Sequence, residues 1–178
     1  ANISPDFLCL SKGLTGGYLP LAVVLTSETV YDAFYDEYES LRAFLHSHSY
    51  TGNPLACSAA LATLRIFEED DVLERNVELA NHLDRRCREL ADLTHVAEVR
   101  RTGLIAAVEL ARNGKRRDPF PWQERRGVRV YRHALEHEAL LRPLGNVVYF
   151  MPPYVIEKAQ IDTIVEVARE GIGLATCG

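Results

Sequence analysis

The chain has 178 residues, of which 47% are hydrophobic and 25% are charged, and its formal net charge is −5. This composition is ordinary for a folded globular protein with one core, or with one and a half small domains. The acidic balance argues against a nucleic-acid-binding protein. No apolar run reaches the roughly 18–20 residues that a membrane span requires.

The cysteines are scattered, and no two of them stand in Cys-x-x-Cys spacing: Cys9, Cys57, Cys87 and Cys177. In a chain of this size that pattern favours buried free thiols in a reducing compartment over a disulfide framework. We therefore expect a cytoplasmic protein. The first residue is not methionine and the chain enters almost at once on "ISPDFLCLSKG", so we interpret it as the C-terminal fragment of a longer protein.

The first part of the chain alternates short apolar runs with loops. Residues 6–10 predict a buried strand end, and glycine and proline make residues 11–20 a loop. Residues 21–27 are β-branched and apolar on both faces, which is typical of a strand inside a parallel or mixed sheet. Ser27 is placed to cap a helix over 28–38. Asn53 and Pro54 predict the start of a helix of small residues over 54–70.

The second part predicts an amphipathic helix over 72–93 that leads from one domain into another, with an apolar stripe made of Leu73, Val77, Ala80, Leu83, Cys87 and Leu90. From residue 96 onwards the predicted order is β-β-α-β-β-α, an α+β layer, with a hairpin turn at Gly145 and Asn146. On the first helix of this layer the residues predicted to face the core are Val128, Tyr131, Ala134 and Leu135. On the second helix they are Ile161, Ile164, Val165, Ala168 and Ile172.

Lys12 stands between the first apolar run and the glycine-rich turn "GLTGG". Burial disfavours the charged form of an amine, and a neutral amine is the form that attacks a carbonyl group. Lys12 is therefore a candidate for carbonyl chemistry. The residues alone leave open that only its stem is buried while the amine reaches solvent. They also leave open whether the glycines serve a phosphate or simply a turn.

Three segments, taken in order, resemble the class III aminotransferases, which are pyridoxal-phosphate enzymes of fold type I. "PDFLCLSKGLTGGYLPLAVVLTS" is similar to their cofactor-lysine segment, "FLHSHSYTGNPLACSAALATL" to a loop and helix downstream, and "LLRPLGNVVYFMPPYVI" to a substrate-carboxylate segment. The resemblance implies an α/β fold. Residues 1–70 would end the large pyridoxal-phosphate-binding domain, 71–93 would form a bridging helix, and 94–178 would form the small C-terminal α+β domain.

The resemblance also implies roles for individual residues. Lys12 would bond to pyridoxal 5'-phosphate and act as the general base. His48, through its backbone, and Ser49, through its hydroxyl, would contact the phosphate of the neighbouring subunit's cofactor in a homodimer with shared active sites. Ser47 would contact substrate. Arg142 would hold a substrate carboxylate, for which a guanidinium group is a bidentate partner; from the residues alone an exposed or salt-bridged arginine is the alternative.

Within the family, "PWQERRGVRVYRHALE" and the segment after it most resemble the enzymes of biotin biosynthesis that aminate 8-amino-7-oxononanoate to 7,8-diaminononanoate, with S-adenosylmethionine as the expected donor. Two alternatives remain open. One is another omega-aminotransferase, acting on 4-aminobutyrate, ornithine or a diamine. The other is an inactive fragment that serves only in assembly. The family's phosphate cup, its ring-stacking aromatic residue and its aspartate for the pyridinium nitrogen are not found, so we expect the chain alone to bind the cofactor poorly and to be inactive.

Two histidine pairs could suggest a metal site. His46 and His48 have only Cys57 nearby in sequence, and His133 and His137 lie four residues apart on a predicted helix without a third ligand in sequence. A zinc site needs three or four ligands. We therefore expect no metal, and we interpret His133 and His137 as part of a solvated helix face.

Overall fold

The computed structural model describes residues 3–177, and this part of the chain divides after Asp71 into two compact units. The first unit contains two strands, β1 (Phe7–Leu10) and β2 (Val23–Thr26), and two helices, α1 (Glu28–Asp32) and α2 (Pro54–Glu69). It also contains two 3-10 turns, Lys12–Thr15 and Tyr38–Ser40.

Strands β1 and β2 form a two-stranded antiparallel ladder in which Phe7 lies opposite Thr26. All four residues of β1 are exposed, and β2 is exposed except for the half-buried Val23. The prediction of two buried strands is therefore right about the strands and wrong about their burial. The reason is structural, because within residues 3–71 the ladder has neither further strands beside it nor a layer packed on its faces.

The two helices of this unit differ in how well they are supported. Helix α1 has five residues rather than the predicted eleven, and Ser27 makes no side-chain capping bond. The aromatic residues that follow, Phe34 and Tyr35, stay exposed, and a short helix without a buried face is marginal in water. Helix α2 begins as predicted, with Asn53 Oδ1 accepting a hydrogen bond from the Leu55 backbone N–H at 3.0 Å.

The second unit contains three helices, α3 (Val72–Arg88), α4 (Arg126–Glu136) and α5 (Lys158–Thr176). Its strands are β3 to β7, with the bounds Val96–Thr102, Ile105–Asn113, Asp118–Pro119, Arg142–Leu144 and Val147–Phe150. The antiparallel sheet runs β3-β4-β7-β6, and the short β5 pairs with β4. The predicted β-β-α-β-β-α order is confirmed with β5 as an addition, and the turn at Gly145 and Asn146 is confirmed as well.

Helices α3 and α4 both pack against α5 and against the sheet. Alternate residues of β4 and β7 face the helices and are buried, including Ala106, Val108, Leu110, Val148 and Phe150. All five residues predicted to face inward on α5 lie in or against this core. The helices thus cover one face of the sheet, which is the α+β layer that the sequence indicates.

The predicted stripes of α3 and α4 are partly wrong. On α3, Leu73 and Val77 are exposed, whereas Val72, Asn76 and Leu79 are buried; on α4, Leu135 is exposed and Val130 is buried. Steps of three or four residues can be drawn along either of two neighbouring faces of a helix. The face that is buried on α3 contains the polar Asn76, so hydrophobicity alone favours the wrong face. The helix α3 also ends at Arg88, and a 3-10 turn, Glu89–Asp92, follows it.

Arg126 is a buried charge at the start of α4 and is 8% exposed. Its Nη1 donates to the Ala175 carbonyl at 2.6 Å, and its Nε donates to Glu124 Oε2 at 2.7 Å. The guanidinium also lies 4.6 Å from the ring centroid of Phe120. A cation that contacts carbonyl groups in the last turn of a helix is favourably placed. Arg126 thus connects the first turn of α4 to the last turn of α5.

Gly127 shows how closely α4 approaches the β6–β7 turn. A Cβ atom built on Gly127 would lie 2.5 Å from the Gly145 carbonyl oxygen, which no side chain tolerates.

No helix within residues 3–177 has both the length and the apolar character needed to cross a bilayer.

Candidate active site

Lys12 is the first residue of the 3-10 turn that follows β1. Its φ is +54°, so a residue with a side chain occupies the left-handed region that favours glycine. Its side chain is exposed and makes no hydrogen bond or ion pair with any residue of the range 3–177. Backbone strain of this kind persists where the surrounding structure holds it and is concentrated at functional sites.

The expected partial burial of the Lys12 amine is not found within this part of the chain. Strand β1 is covered on neither face, so the residue that follows it is also open to solvent. The amine is thus presented without a partner among residues 3–177.

The turn after Lys12 is firmly anchored. Thr15 is only 2% exposed, and its hydroxyl donates to the Leu19 carbonyl at 2.6 Å. Helix α2 packs against this turn, with Ala56 and Ala60 as its buried small residues. A Cβ atom on Gly16 would meet the Thr63 hydroxyl of α2 at 3.5 Å. The turn and α2 therefore fix the backbone that carries Lys12.

Ser47, His48 and Ser49 lie in an exposed loop before α2. The backbone N–H of His48 donates to Thr51 Oγ1 at 3.1 Å, and its carbonyl accepts from the Thr51 N–H at 3.0 Å. The backbone donor predicted for phosphate binding is thus engaged within the loop. The exposed Ser49 hydroxyl makes no hydrogen bond within residues 3–177 and is available to a ligand.

Arg142 is the first residue of β6 and lies opposite Tyr149 of β7. It is exposed between the buried Leu141 and the half-buried Pro143. Many arginines of this unit form ion pairs, such as Arg88 with Asp84 at 2.8 Å. The Arg142 guanidinium has no such partner among residues 3–177, so the alternative of a salt-bridged arginine is not found there. It is free to bind an anion.

Two contributions to these sites have no sequence signal of their own. The positive φ of Lys12 is invisible in a sequence, although the glycines after it indicate a tight turn. The contact of Gly127 with the turn beside Arg142 is also hidden, because a helix of the sequence "RRGVRVYR" gives no sign of what its first turn touches.

The comparisons with known proteins identify the family. The family model for Aminotransferase class-III matches residues 1–171. The chain is 46% identical to an adenosylmethionine-8-amino-7-oxononanoate aminotransferase of Geobacter sulfurreducens over 99% of its own length and 39% of that relative.

Solved structures give the same result. The crystal structure of adenosylmethionine-8-amino-7-oxononanoate aminotransferase from Methanocaldococcus jannaschii has a TM-score of 0.93 and 40% identity, covering 98% of this chain and 40% of that one. An omega transaminase from Pseudomonas jessenii in complex with PMP has a TM-score of 0.90 and 31% identity, covering 97% of this chain and 38% of that one.

The chain thus spans about 39% of the length of a curated relative that it matches. The α/β fold expected from the resemblance, that of the fold type I transaminases, is confirmed by these structures. The chain belongs to the class III aminotransferase family.

Proposed function

We propose that this chain is part of a pyridoxal-phosphate-dependent transaminase that transfers an amino group to 8-amino-7-oxononanoate, with S-adenosylmethionine as the donor. The observation that carries the proposal is the free amine of Lys12, held on a left-handed backbone at the end of a strand. The relatives named for that reaction, at 46% and 40% identity, support the choice of substrate.

Two groups among the described residues fit pyridoxal phosphate, an amine for its aldehyde and a hydroxyl for its phosphate. An aldehyde requires an amine, and Lys12 provides one that no other residue in 3–177 engages. A phosphate requires donors, and the Ser49 hydroxyl is exposed and free within that range. When bound, the cofactor supplies an electron sink for charge that develops on the substrate carbon.

Lys12 then has two tasks in the proposed mechanism. Its Nζ would hold the cofactor through the aldehyde carbon. The same amine, when not bonded to the cofactor, would be the general base that takes a proton from the amine-bearing carbon of the substrate. A base acts within hydrogen-bond reach, and the anchored turn at Thr15 keeps the backbone of Lys12 in one place.

Arg142 is proposed to bind the carboxylate of the keto acid through its unpaired guanidinium. Ser47 is a further proposed substrate contact, and the His48 backbone a proposed phosphate contact that requires Thr51 to release it. We propose that Ser49 and His48 serve the cofactor of a second subunit in a homodimer, and that the enzyme works in the cytosol. The division into a large domain over 1–70, a bridging helix over 71–93 and a small domain over 94–178 also stays a prediction.

The first test is reduction with borohydride of the full-length protein incubated with pyridoxal phosphate, followed by peptide mass mapping. We expect the phosphopyridoxyl mass on the peptide that contains Lys12. The chain offers matched controls, because its other lysines are Lys115, in an exposed 3-10 turn, and Lys158, which pairs with Glu78 at 3.3 Å. Lys12→Ala should lose the label, whereas Lys115→Ala and Lys158→Ala should keep it. A labelled Lys12→Ala protein would contradict the proposal.

The second test separates the substrates. Full-length protein is given 8-amino-7-oxononanoate with S-adenosylmethionine or with lysine, and in parallel 2-oxoglutarate with 4-aminobutyrate, ornithine or a diamine. We expect turnover of 8-amino-7-oxononanoate. Turnover only with 2-oxoglutarate would assign the chain to the omega-aminotransferase alternative, which the Pseudomonas jessenii structure represents at lower identity. No turnover despite labelling of Lys12 would retain the cofactor and reject the substrate.

A further inference from the structure

A cluster of three metal-ligating side chains lies on helices α4 and α5, and none of the three residues is assigned to transamination. It consists of His133 and His137, one turn apart at the end of α4, and Glu170 of α5. One ligand atom from each of the three lies within 4.8 Å of the other two. The helix pair thus supplies the third ligand that the sequence pattern of His133 and His137 lacks.

His137 is oriented for ligation. Its Nδ1 lies 2.8 Å from the His133 carbonyl oxygen, and because a carbonyl can only accept, Nδ1 carries the proton and donates. In the neutral ring this leaves the lone pair on Nε2. Histidines that bind metal commonly donate their other N–H to a carbonyl or carboxylate, which fixes the tautomer and the ring direction.

His133 presents a buried nitrogen that lacks a hydrogen bond. Its side chain is 11% exposed, and its Nε2 is buried without a hydrogen-bond partner, although Glu170 Oε2 lies 3.5 Å away. A buried polar atom left in this state is destabilising. The ring has little room to turn away, because a Cβ atom on Gly171 would come within 3.1 Å of its Cδ2 atom.

We propose that His133, His137 and Glu170 bind one divalent transition-metal ion, with Zn²⁺ as the best fit, through the two Nε2 atoms and a carboxylate oxygen. Bonds of about 2.0–2.1 Å in a tetrahedron place ligand atoms about 3.3 Å apart. The 3.5 Å between His133 and Glu170 is already close to that value. His137 and Glu170 are exposed, so their side chains can move the remaining distance.

The donor set selects the class of ion. Ca²⁺ and Mg²⁺ prefer oxygen ligands, whereas two imidazoles and one carboxylate suit Zn²⁺ and its neighbours in the first transition row. Three protein ligands leave a fourth position for water. The bound ion would link the end of α4 to α5.

The experiment uses the full-length protein without an affinity tag, stripped with a chelator and titrated with Zn²⁺ against a chromophoric competitor. We expect one equivalent to bind at the cluster, and Co²⁺ in its place to show the visible absorption of a tetrahedral site. Glu170→Gln and His137→Gln each change an exposed ligand and should weaken binding at least about tenfold. Neither residue is assigned a role in the proposed transamination, so metal binding rather than activity is the readout.

The matched control is His82→Gln. His82 is also a helical histidine of the second unit beside a carboxylate, with its Nε2 2.8 Å from Asp162 Oδ1, and its loss should leave zinc affinity unchanged. The proposal is overturned if the protein binds no zinc, or if Glu170→Gln and His137→Gln both bind as tightly as the parent. Equal thermal unfolding of all metal-free variants shows that a loss of binding is not a loss of fold.

Discussion

Strands β1 and β7 each contain a phenylalanine, and the two residues lie in opposite environments. Phe7 in the first unit is 58% exposed, whereas Phe150 in the second is 1% exposed. The same contrast holds for the whole units. Among residues 3–71 the buried apolar side chains are Ala56 and Ala60, while the second unit has a continuous core shared by three helices and a sheet. The unit that carries Lys12 therefore lacks a core of its own, and the unit that carries Arg142 has one.

Separating the units would test this contrast most severely. A protein of residues 72–178 should unfold in urea as one cooperative transition, because its core lies entirely within that range. A protein of residues 1–71 should show no cooperative transition, since it buries too little apolar surface to offset the chain entropy. Circular dichroism against urea measures both. A sharp transition in residues 1–71 would break the comparison.

Two matched substitutions in the 178-residue chain would sharpen it. Phe150→Ala should lower the free energy of unfolding by about 3–5 kcal/mol, because it leaves a cavity in the core. Phe7→Ala should change it by less than about 0.5 kcal/mol, since the ring is already in water. Urea unfolding measures both values. A loss of stability with Phe7→Ala as large as that with Phe150→Ala would contradict the exposure of Phe7.

Two arginines of the second unit, the buried Arg126 and the exposed Arg142, should differ less in their contribution to the free energy of unfolding. Arg126→Ala should destabilise the chain by about 2 kcal/mol, because it leaves Glu124 and the Ala175 carbonyl without their buried partner. Arg142→Ala should change stability by less than about 0.5 kcal/mol and, under the proposed function, weaken the binding of the keto acid instead. Urea midpoints at constant slope measure the first effect, and KM for the acceptor in the full-length enzyme measures the second. A large loss of stability in Arg142→Ala would give that residue a structural role.

The reactivity of the cysteine thiols tests the difference in burial between β1 and the core of the second unit without any mutation. Burial, and next the negative charge of Asp84, raises the pKa of the Cys87 thiol in the second unit from 9.0 to about 12. At pH 8 only about one part in ten thousand of Cys87 is thiolate, so Ellman's reagent should react with the exposed Cys9 and Cys177 and spare Cys87 until urea unfolds the chain. Rapid labelling of Cys87 in the folded chain would contradict its burial.

The same pKa gives a pH dependence with a definite sign. Between pH 9 and about 12 the thiol of the unfolded chain ionises while the folded one keeps its proton. The contribution of Cys87 to stability is therefore complete below pH 9 and is lost as the pH rises through that window.

The sequence predicts the second unit better than the first, for a physical reason. Helix α5 and the β6–β7 hairpin follow from local periodicity and turn residues, and the unit's own core satisfies both. The burial of β1 does not follow, because it depends on what lies against the strand rather than on the strand itself.

The site shows the same limit. Residue type and neighbours mark Lys12 only as a candidate and leave Arg142 open, and the expected roles of both come from the resemblance of their segments to the family. The third ligand of the His133 cluster cannot, because Glu170 is 33 or more residues away and reaches the cluster only through the packing of α5 on α4.

The left-handed backbone of Lys12 has a consequence for how such a chain evolves. Lys12→Gly would remove the amine and relieve a conformation that disfavours a side chain by about 1 kcal/mol. A selection for thermal stability alone would therefore favour Lys12→Gly, and only a selection for the proposed catalytic role would keep the lysine. Directed evolution of this chain toward higher melting temperature should include an activity screen in every round, since its simplest stabilising step at this turn removes the amine proposed for catalysis.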